Sequence, residues 1–290
     1  MKNSWWFSFV RVKLVHPMRR LMARIRATCL YQINKFFSVR HVNLGGGPDF
    51  IGFRWSNLEA VVSDVNPHSY SFSHDCIFPF PDGAVDTVYN SHNLEHLEQL
   101  TVDRVLAEAC RILKPGGYLV LKIPNFDHVL KSWREGDCEI FDKFSFTPEN
   151  KTWVNRGVPD SLDTRAACLF CGFWNDEYGD HFSQKILNNP LAYHGPPVVS
   201  AEILSRLKLN DSPHFISERL RAYVVENEPS YHFNHQNAWS MDELKELVTY
   251  HQFEVVADEA ENIIRECGFI PTIRYWKDVS MYLLARKRLS

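Results

Sequence analysis

The chain has 290 residues, of which 45 % are hydrophobic and 23 % are charged, and its net charge at pH 7 is −3. This balance fits one large domain, or one domain with a sizeable insertion, around a hydrophobic core. The charge is uneven: residues 1–48 hold nine Lys or Arg and no acid, whereas the rest holds 23 basic and 35 acidic residues. Because the chain after residue 48 is acidic, it lacks the positive surface that nucleic acid requires, so we expect no nucleic-acid partner.

The first segment, residues 1–40, is basic and rich in aromatic side chains. From Pro17 onward, apolar residues recur at helical spacing with arginines between them. No uncharged run reaches the roughly 18 residues of a transmembrane helix. One interpretation is an amphipathic segment in peripheral contact with an anionic membrane surface. The other is a helix that covers one face of the sheet with its arginines in solvent.

The seven cysteines are an odd number, and no signal peptide precedes them. A cytoplasmic protein is therefore expected, with any membrane contact on the inner face. Cys168 and Cys171 form a lone C-x-x-C without a second pair, which favours ordinary buried thiols over a metal or redox site.

An apolar strand, residues 41–44, runs directly into Gly45, Gly46 and Gly47. Glycine reaches positive φ and has no Cβ to block the approach of a ligand. A dinucleotide fingerprint would place a third spaced glycine where Phe50 stands, which argues against NAD or FAD.

A short first helix is expected over residues 49–59 and a second strand over 60–64. That strand ends in Asp64, where a carboxylate of an open α/β sheet can accept hydrogen bonds from ribose hydroxyls. The alternative is that Asp64 only caps a helix.

The following pattern alternates strands with helices. It predicts a loop at 77–82, a buried strand at 85–89, a helix at 100–113 ended by the Pro-Gly-Gly at 115–117, and a strand at 118–123. Residues 126–230 break this pattern and are rich in aromatic, Asn, Asp and His residues, which predicts an ordered cap for a polyhydroxylated substrate.

The pattern returns near the C-terminus. Ser240 can cap a helix at 241–251, with Glu243 completing a capping box. Residues 253–256 and 279–285 are expected to be the last two strands.

The ordered motifs together resemble the class I S-adenosylmethionine-dependent methyltransferases. They are the glycine turn, the acidic strand end, Asp75 before Phe-Pro-Phe-Pro-Asp, the Leu-Glu-His of residues 94–96, and the Leu-Lys-Pro-Gly-Gly of residues 113–117. These motifs are most similar to those of the small methyltransferases of bacterial surface-polysaccharide clusters. The resemblance implies an α/β, doubly wound, Rossmann-like seven-stranded sheet, mostly parallel with an antiparallel last strand and a large inserted substrate cap.

The resemblance also implies S-adenosyl-L-methionine as cofactor, with S-adenosyl-L-homocysteine as product. The implied cofactor core is 41–125, the cap is 126–230, and 231–290 completes the core. The three glycines are expected to contact the methionine portion of the cofactor, and Asp64 its ribose. Asp75, by its side chain, and Cys76, by its backbone, are expected to contact the adenine edge. Asp75 as an exposed loop acid is the alternative. Asn90 lies where the strand at 85–89 ends, on the ligand side of the sheet.

His96 is the candidate general base, because an unperturbed imidazole titrates near neutral pH; alternatively it packs under the glycine turn. The Glu95–His96 pair is similar to one that helps hold a divalent metal in ubiquinone-pathway O-methyltransferases. Their further acid would fall at Ser91, so the metal set is incomplete and no metal ligand is predicted. His232 and His235 are candidates for a base or a sugar ligand, for a metal set with His96, or for structural turn histidines.

The further substrate-binding candidates are Asp127, His128, His232 and Trp239. The function predicted from the sequence is O-methylation of a sugar hydroxyl in a bacterial surface glycan or its precursor, a polysaccharide-biosynthesis role. One alternative is an O-methyltransferase of a quinone or another small metabolite. The other is a methyltransferase-like binding module without turnover.

Overall fold

A computed structural model describes residues 29, 33, 38–45, 54–58, 70–143, 161–172, 199–229, 235–267 and 279–289. Within this part of the chain, six strands form one sheet in the order β2-β1-β3-β4-β6-β5. The strands are β1 (His41–Leu44), β2 (Trp55–Leu58), β3 (Val85–Ser91), β4 (Leu113–Pro124), β5 (Phe253–Ala257) and β6 (Ser280–Lys287).

The first four strands run parallel to one another, whereas β6 runs antiparallel to both β4 and β5. The predicted mixed α/β class, with a mostly parallel sheet and an antiparallel last strand, is confirmed. The expected count of seven strands is not confirmed, since the described residues form six strands.

β2 corrects the sequence analysis. Residues 55–58, expected in the first helix, are a strand in register with β1, from His41 opposite Trp55 to Leu44 opposite Leu58. The reason is tertiary: the Trp55 ring stacks on His41 with centroids 4.9 Å apart. Asn43 Nδ2 also donates to Asn57 Oδ1 at 3.3 Å. The predicted strand at 60–64 lies outside the described residues.

Eight α-helices are described, together with a short 3₁₀ helix at Leu94–His96. They are α1 (Gln99–Ile112), α2 (Phe126–Glu135), α3 (Glu139–Lys143), α4 (Leu162–Cys171), α5 (Ala201–Asn210), α6 (Pro213–Asn227), α7 (Met241–Tyr250) and α8 (Ala260–Cys267).

The end of α1 differs from the prediction. The helix ends at Ile112 and β4 begins at Leu113, so the Pro-Gly-Gly at 115–117 lies within the strand instead of ending the helix. The capping box of α7 is confirmed, because Ser240 Oγ accepts from Glu243 N and the Glu243 side chain accepts from Ser240 N.

Three buried apolar clusters organise these elements. The largest packs one face of the sheet against α1 and α7, and a smaller one packs the other face against α8. The third joins helices α2 to α6 and includes Ala238 and Val279 from the loops beside them. Its helices lie in residues 126–230, for which the sequence predicted a cap but no individual helices. Two of them nevertheless have N-cap serines: the side chains of Ser161 and Ser200 accept backbone amide hydrogen bonds at the starts of α4 and α5.

Candidate active site

The candidate site lies where the parallel strands end. β1 leads to Gly45, β3 to His92 and β4 to Asn125, all at the carboxyl edge of the sheet. Ligands of open α/β sheets bind at this edge, beside the point where the strand order reverses. Here the reversal falls between β1 and β3.

Gly45 makes the first turn of this edge. Its φ is +65°, and its amide donates to the carbonyl of Leu58 at 2.9 Å. A Cβ at this position would come within 2.4–2.6 Å of the Asn93 side chain. Asn90 is fully buried, and its Nδ2 donates to Leu44 O at 3.3 Å. Asn90 therefore fixes the end of β1, while Gly46 and Gly47 lie outside the described residues.

A buried carboxylate stands beside this turn. The Glu95 side chain, in the 3₁₀ helix after β3, is 0 % exposed. Its oxygen Oε1 lies 3.2 Å from His92 Nδ1 and 3.9 Å from His96 Nε2. The His96 side chain is 29 % exposed. An ionised carboxylate without water is costly unless partners compensate for it, so this arrangement points to function.

His235 completes the group from a distant part of the chain. It is 4 % exposed, and its ring lies 5.0 Å from that of His96. Nδ1 donates to the carbonyl of Leu169 at 2.8 Å, and because a carbonyl only accepts, this bond assigns the hydrogen to Nδ1. We call Glu95, His96 and His235 the Glu–His cluster; one side-chain ligand atom from each lies within 4.8 Å of the others.

Backbone hydrogen bonds hold the two halves of the cluster together. The Glu95 carbonyl accepts from the amides of Gln236 and Asn237, at 2.6 and 3.1 Å. The His235 amide donates to Cys171 O at the end of α4, at 3.1 Å. Residues 235–237 therefore tie the 3₁₀ helix to the helical cluster.

The electrostatics follow from burial and from these contacts. Burial alone would raise the pKa of Glu95, but His92 and the neighbouring imidazoles outweigh it and hold that pKa below its ordinary value. Burial lowers the pKa of His235, so this imidazole is neutral at pH 7. Burial also lowers the pKa of Lys122, on β4, to about 8. At neutral pH the cluster thus contains a carboxylate and at least one neutral ring.

The other predicted residues have different surroundings. Asp75 is exposed, and a hydrogen bond from Ser73 lowers its pKa. Cys76 is buried, with its amide bonded to Ser73 O and its carbonyl accepting from Arg104. Both backbone groups of Cys76 therefore already have protein partners. The adenine-edge contacts of Asp75 and Cys76 stay predictions.

The expected substrate residues near α2 and α7 make structural contacts. Asp127 Oδ2 accepts from the amide of Met241 at 2.7 Å, at the start of α7, and burial raises its pKa. The His128 amide donates to the N-cap Asn125. Trp239 is 3 % exposed within the largest core. His232 and Asp64 lie outside the described residues.

Two residues beside the Glu–His cluster were missed in the sequence. His92, with φ +49°, bridges Glu95 and Ser280 Oγ, which lies 2.9 Å from its Nε2. Lys122 is a buried cation near Glu95. Glu59 directly follows β2 in the sequence and lies outside the described residues. The sequence gave one signal for these residues: His92 stands three positions before Glu95, a spacing at which two side chains can meet.

Comparison with protein families gives one match, which spans β3, α1 and most of β4. Residues 60–121 match a family model described as a methyltransferase domain. The chain carries a methyltransferase domain. Together with the sheet order, this confirms the predicted class I S-adenosylmethionine-dependent methyltransferase and its cofactor.

Solved structures that match the chain at low identity include several that are described as methyltransferases. One from Thermotoga maritima, described as a possible histamine N-methyltransferase, shares 14 % identity, with 98 % of this chain and 100 % of that chain covered and a TM-score of 0.34. One from Mesorhizobium loti shares 14 %, with coverages of 86 and 91 % and a TM-score of 0.37. The Burkholderia thailandensis 1,6-didemethyltoxoflavin-N1-methyltransferase shares 10 %, with coverages of 100 and 92 % and a TM-score of 0.37. These likenesses do not identify an acceptor for this methyltransferase.

Among the described helices, none combines the length and the apolar character needed to cross a bilayer.

Proposed function

We propose that this methyltransferase transfers the methyl group of S-adenosylmethionine to a sugar hydroxyl in a bacterial surface glycan or its precursor. The observation that carries the proposal is the Glu–His cluster at the carboxyl edge of the sheet. A hydroxyl is a weak nucleophile until its proton leaves, so an O-methyltransferase gains from a base beside the methyl donor.

His96 is the proton acceptor in this proposal. It is the most exposed member of the cluster, at 29 %, so an acceptor molecule can reach it from solvent. Glu95 stabilises the imidazolium that forms when the proton arrives, while His235, neutral and bonded to Leu169, shapes the buried side of the pocket. Bound S-adenosylmethionine would supply the methyl group and keep the electron pair of the broken bond on its sulfur, and His96 would take the proton that the acceptor hydroxyl loses.

The sugar class rests on sequence composition. Residues 173–197, outside the described part of the chain, combine aromatic side chains with Asn, Asp and His. Aromatic faces pack on sugar rings, and these polar groups bond to hydroxyls. The basic segment 1–40 suits an acceptor that is carried on an anionic membrane surface.

The acceptor is tested by methyl transfer from labelled cofactor to a panel of sugars, quinols, phenols and amines. We expect transfer to sugar hydroxyls, with methyl ethers identified by mass spectrometry. Turnover of quinols alone would assign the enzyme to quinone-type metabolites. Cofactor binding with no turnover of any acceptor would support a binding module.

The cofactor site is tested separately by calorimetry with S-adenosylmethionine. β2 ends at Leu58, and the first acid after it in the sequence is Glu59. We expect Glu59→Gln to weaken binding at least about tenfold, the loss of hydrogen bonds to a charged acceptor. Asp64→Asn, the matched control, should bind as the wild type does. The reverse outcome would return the ribose contact to Asp64.

A further inference from the structure

The Glu–His cluster has a composition that goes beyond proton transfer. It combines two imidazoles with one carboxylate, the donor set of many zinc and non-haem iron sites. We propose that Glu95, His96 and His235 bind one divalent transition-metal ion.

The distances suit such an ion. At metal–ligand bonds of about 2.1 Å, the donor atoms of a tetrahedral site stand about 3.4 Å apart. Here His96 Nε2 lies 3.9 Å from Glu95 Oε1, and the three ligand atoms lie within 4.8 Å of one another. A movement of about 1 Å at the side-chain tips closes the set onto an ion, and the partly exposed His96 gives the ion a path from solvent.

The surroundings already orient the ligands. A ligating histidine commonly donates its other ring N–H to a carbonyl, which turns the remaining nitrogen toward the metal. His235 does this through Nδ1 and Leu169 O, leaving Nε2 as its ligand atom. His92 lies 3.2 Å from the Glu95 carboxylate and also contacts Ser280, the kind of outer contact that holds a ligating carboxylate.

The inference uses the same residues as the proposed function but does not depend on its chemistry. With an ion bound, His96 Nε2 is a ligand and no longer accepts a proton. The two roles therefore belong to the metal-loaded and metal-free forms of the protein, and a binding measurement tests the ion whether or not the acceptor is known.

The experiment is a titration of chelator-treated full-length protein with Zn²⁺, followed by calorimetry, and with Co²⁺, followed by visible absorption. We expect one equivalent of each ion, and Co²⁺ bands typical of nitrogen and oxygen ligands without thiolate charge transfer. Glu95→Gln, His96→Gln and His235→Gln should each weaken Zn²⁺ binding at least about tenfold.

His251→Gln is the matched control. It removes an imidazole that lies 3.1 Å from a carboxylate of Asp103, away from the cluster, and should leave Zn²⁺ binding unchanged. Circular dichroism checks that each variant folds, and His96, the most exposed of the three ligands, provides the variant least coupled to folding. No stoichiometric binding, or binding that His96→Gln leaves unchanged, overturns the proposal.

Discussion

Gly45→Ala should abolish measurable cofactor binding at concentrations that saturate the wild type, and it should also destabilise the fold. Two costs add at this position. A left-handed φ, here +65°, costs about 1–2 kcal/mol for a residue with a Cβ. The new Cβ would also meet the Asn93 side chain at 2.4–2.6 Å, which adds about 1–3 kcal/mol of overpacking. Calorimetry with S-adenosylmethionine and chemical denaturation measure the two effects.

Gly83→Ala separates these costs. Gly83 has a similar φ of +59°, but nothing lies within 4 Å of an added Cβ. This variant should lose only the left-handed cost and should bind cofactor normally. A second separation is Asn93→Gly, which removes the clashing atoms: added to Gly45→Ala, it should recover most of the extra loss of stability. Wild-type binding by Gly45→Ala would exclude the turn from the cofactor site.

The sheet is largely predictable from the chain, because buried strands of a parallel sheet are apolar runs. The second half of the parallel strand β4 contains such a run, and the antiparallel strand β6, buried along most of its length, contains another. β2 escaped prediction because Trp55-Ser56-Asn57 is short and half polar. Its strand conformation depends on pairing with β1 and on the stacking of Trp55 on His41, contacts that no local pattern reports.

The site was predictable only in pieces. Glu95 and His96 follow a strand end, and His235 precedes a capped helix, so each stood out as a candidate. Their proximity depends on contacts between remote parts of the chain. Asn237 Nδ2 donates to Leu97 O across 140 residues, and the amides of residues 236 and 237 bond to the Glu95 carbonyl. Burial of Glu95 is a consequence of that assembly.

The same contacts explain why some candidates look structural. Asp127 satisfies an amide at the start of α7, and Trp239 fills the main core. Both residues come immediately beside the functional segments in sequence, so composition alone does not distinguish them from pocket residues. The distinction comes from which atoms already have partners.

The second large effect is expected at His96 and Glu95. In metal-free enzyme, His96→Gln should lower kcat by about 10²–10⁴-fold, the usual contribution of a general base. Cofactor affinity should stay within about threefold of the wild type, because His96 acts on the acceptor. Rapid-quench or steady-state transfer of labelled methyl groups gives kcat, and calorimetry gives the affinity.

Glu95→Gln keeps the shape of the side chain and removes its charge. If the carboxylate acts by stabilising protonated His96, this variant loses much of the same kcat, and the double variant loses little more than His96→Gln alone, because the two residues act as a unit. Independent roles would instead multiply the two losses. His251→Gln, which alters another imidazole–carboxylate pair, is the control and should keep full activity.

Activity after chelation distinguishes two ways in which the acceptor hydroxyl can lose its proton. Transfer that persists in chelator-treated enzyme and disappears in His96→Gln identifies the imidazole as the base. Transfer that chelation abolishes and Zn²⁺ or Co²⁺ restores would assign the ionisation of the hydroxyl to a bound cation, since coordination lowers the pKa of an oxygen ligand. His96→Gln lowers transfer in both cases, by removing the base in the first and by weakening metal binding in the second, so the response to chelation separates them.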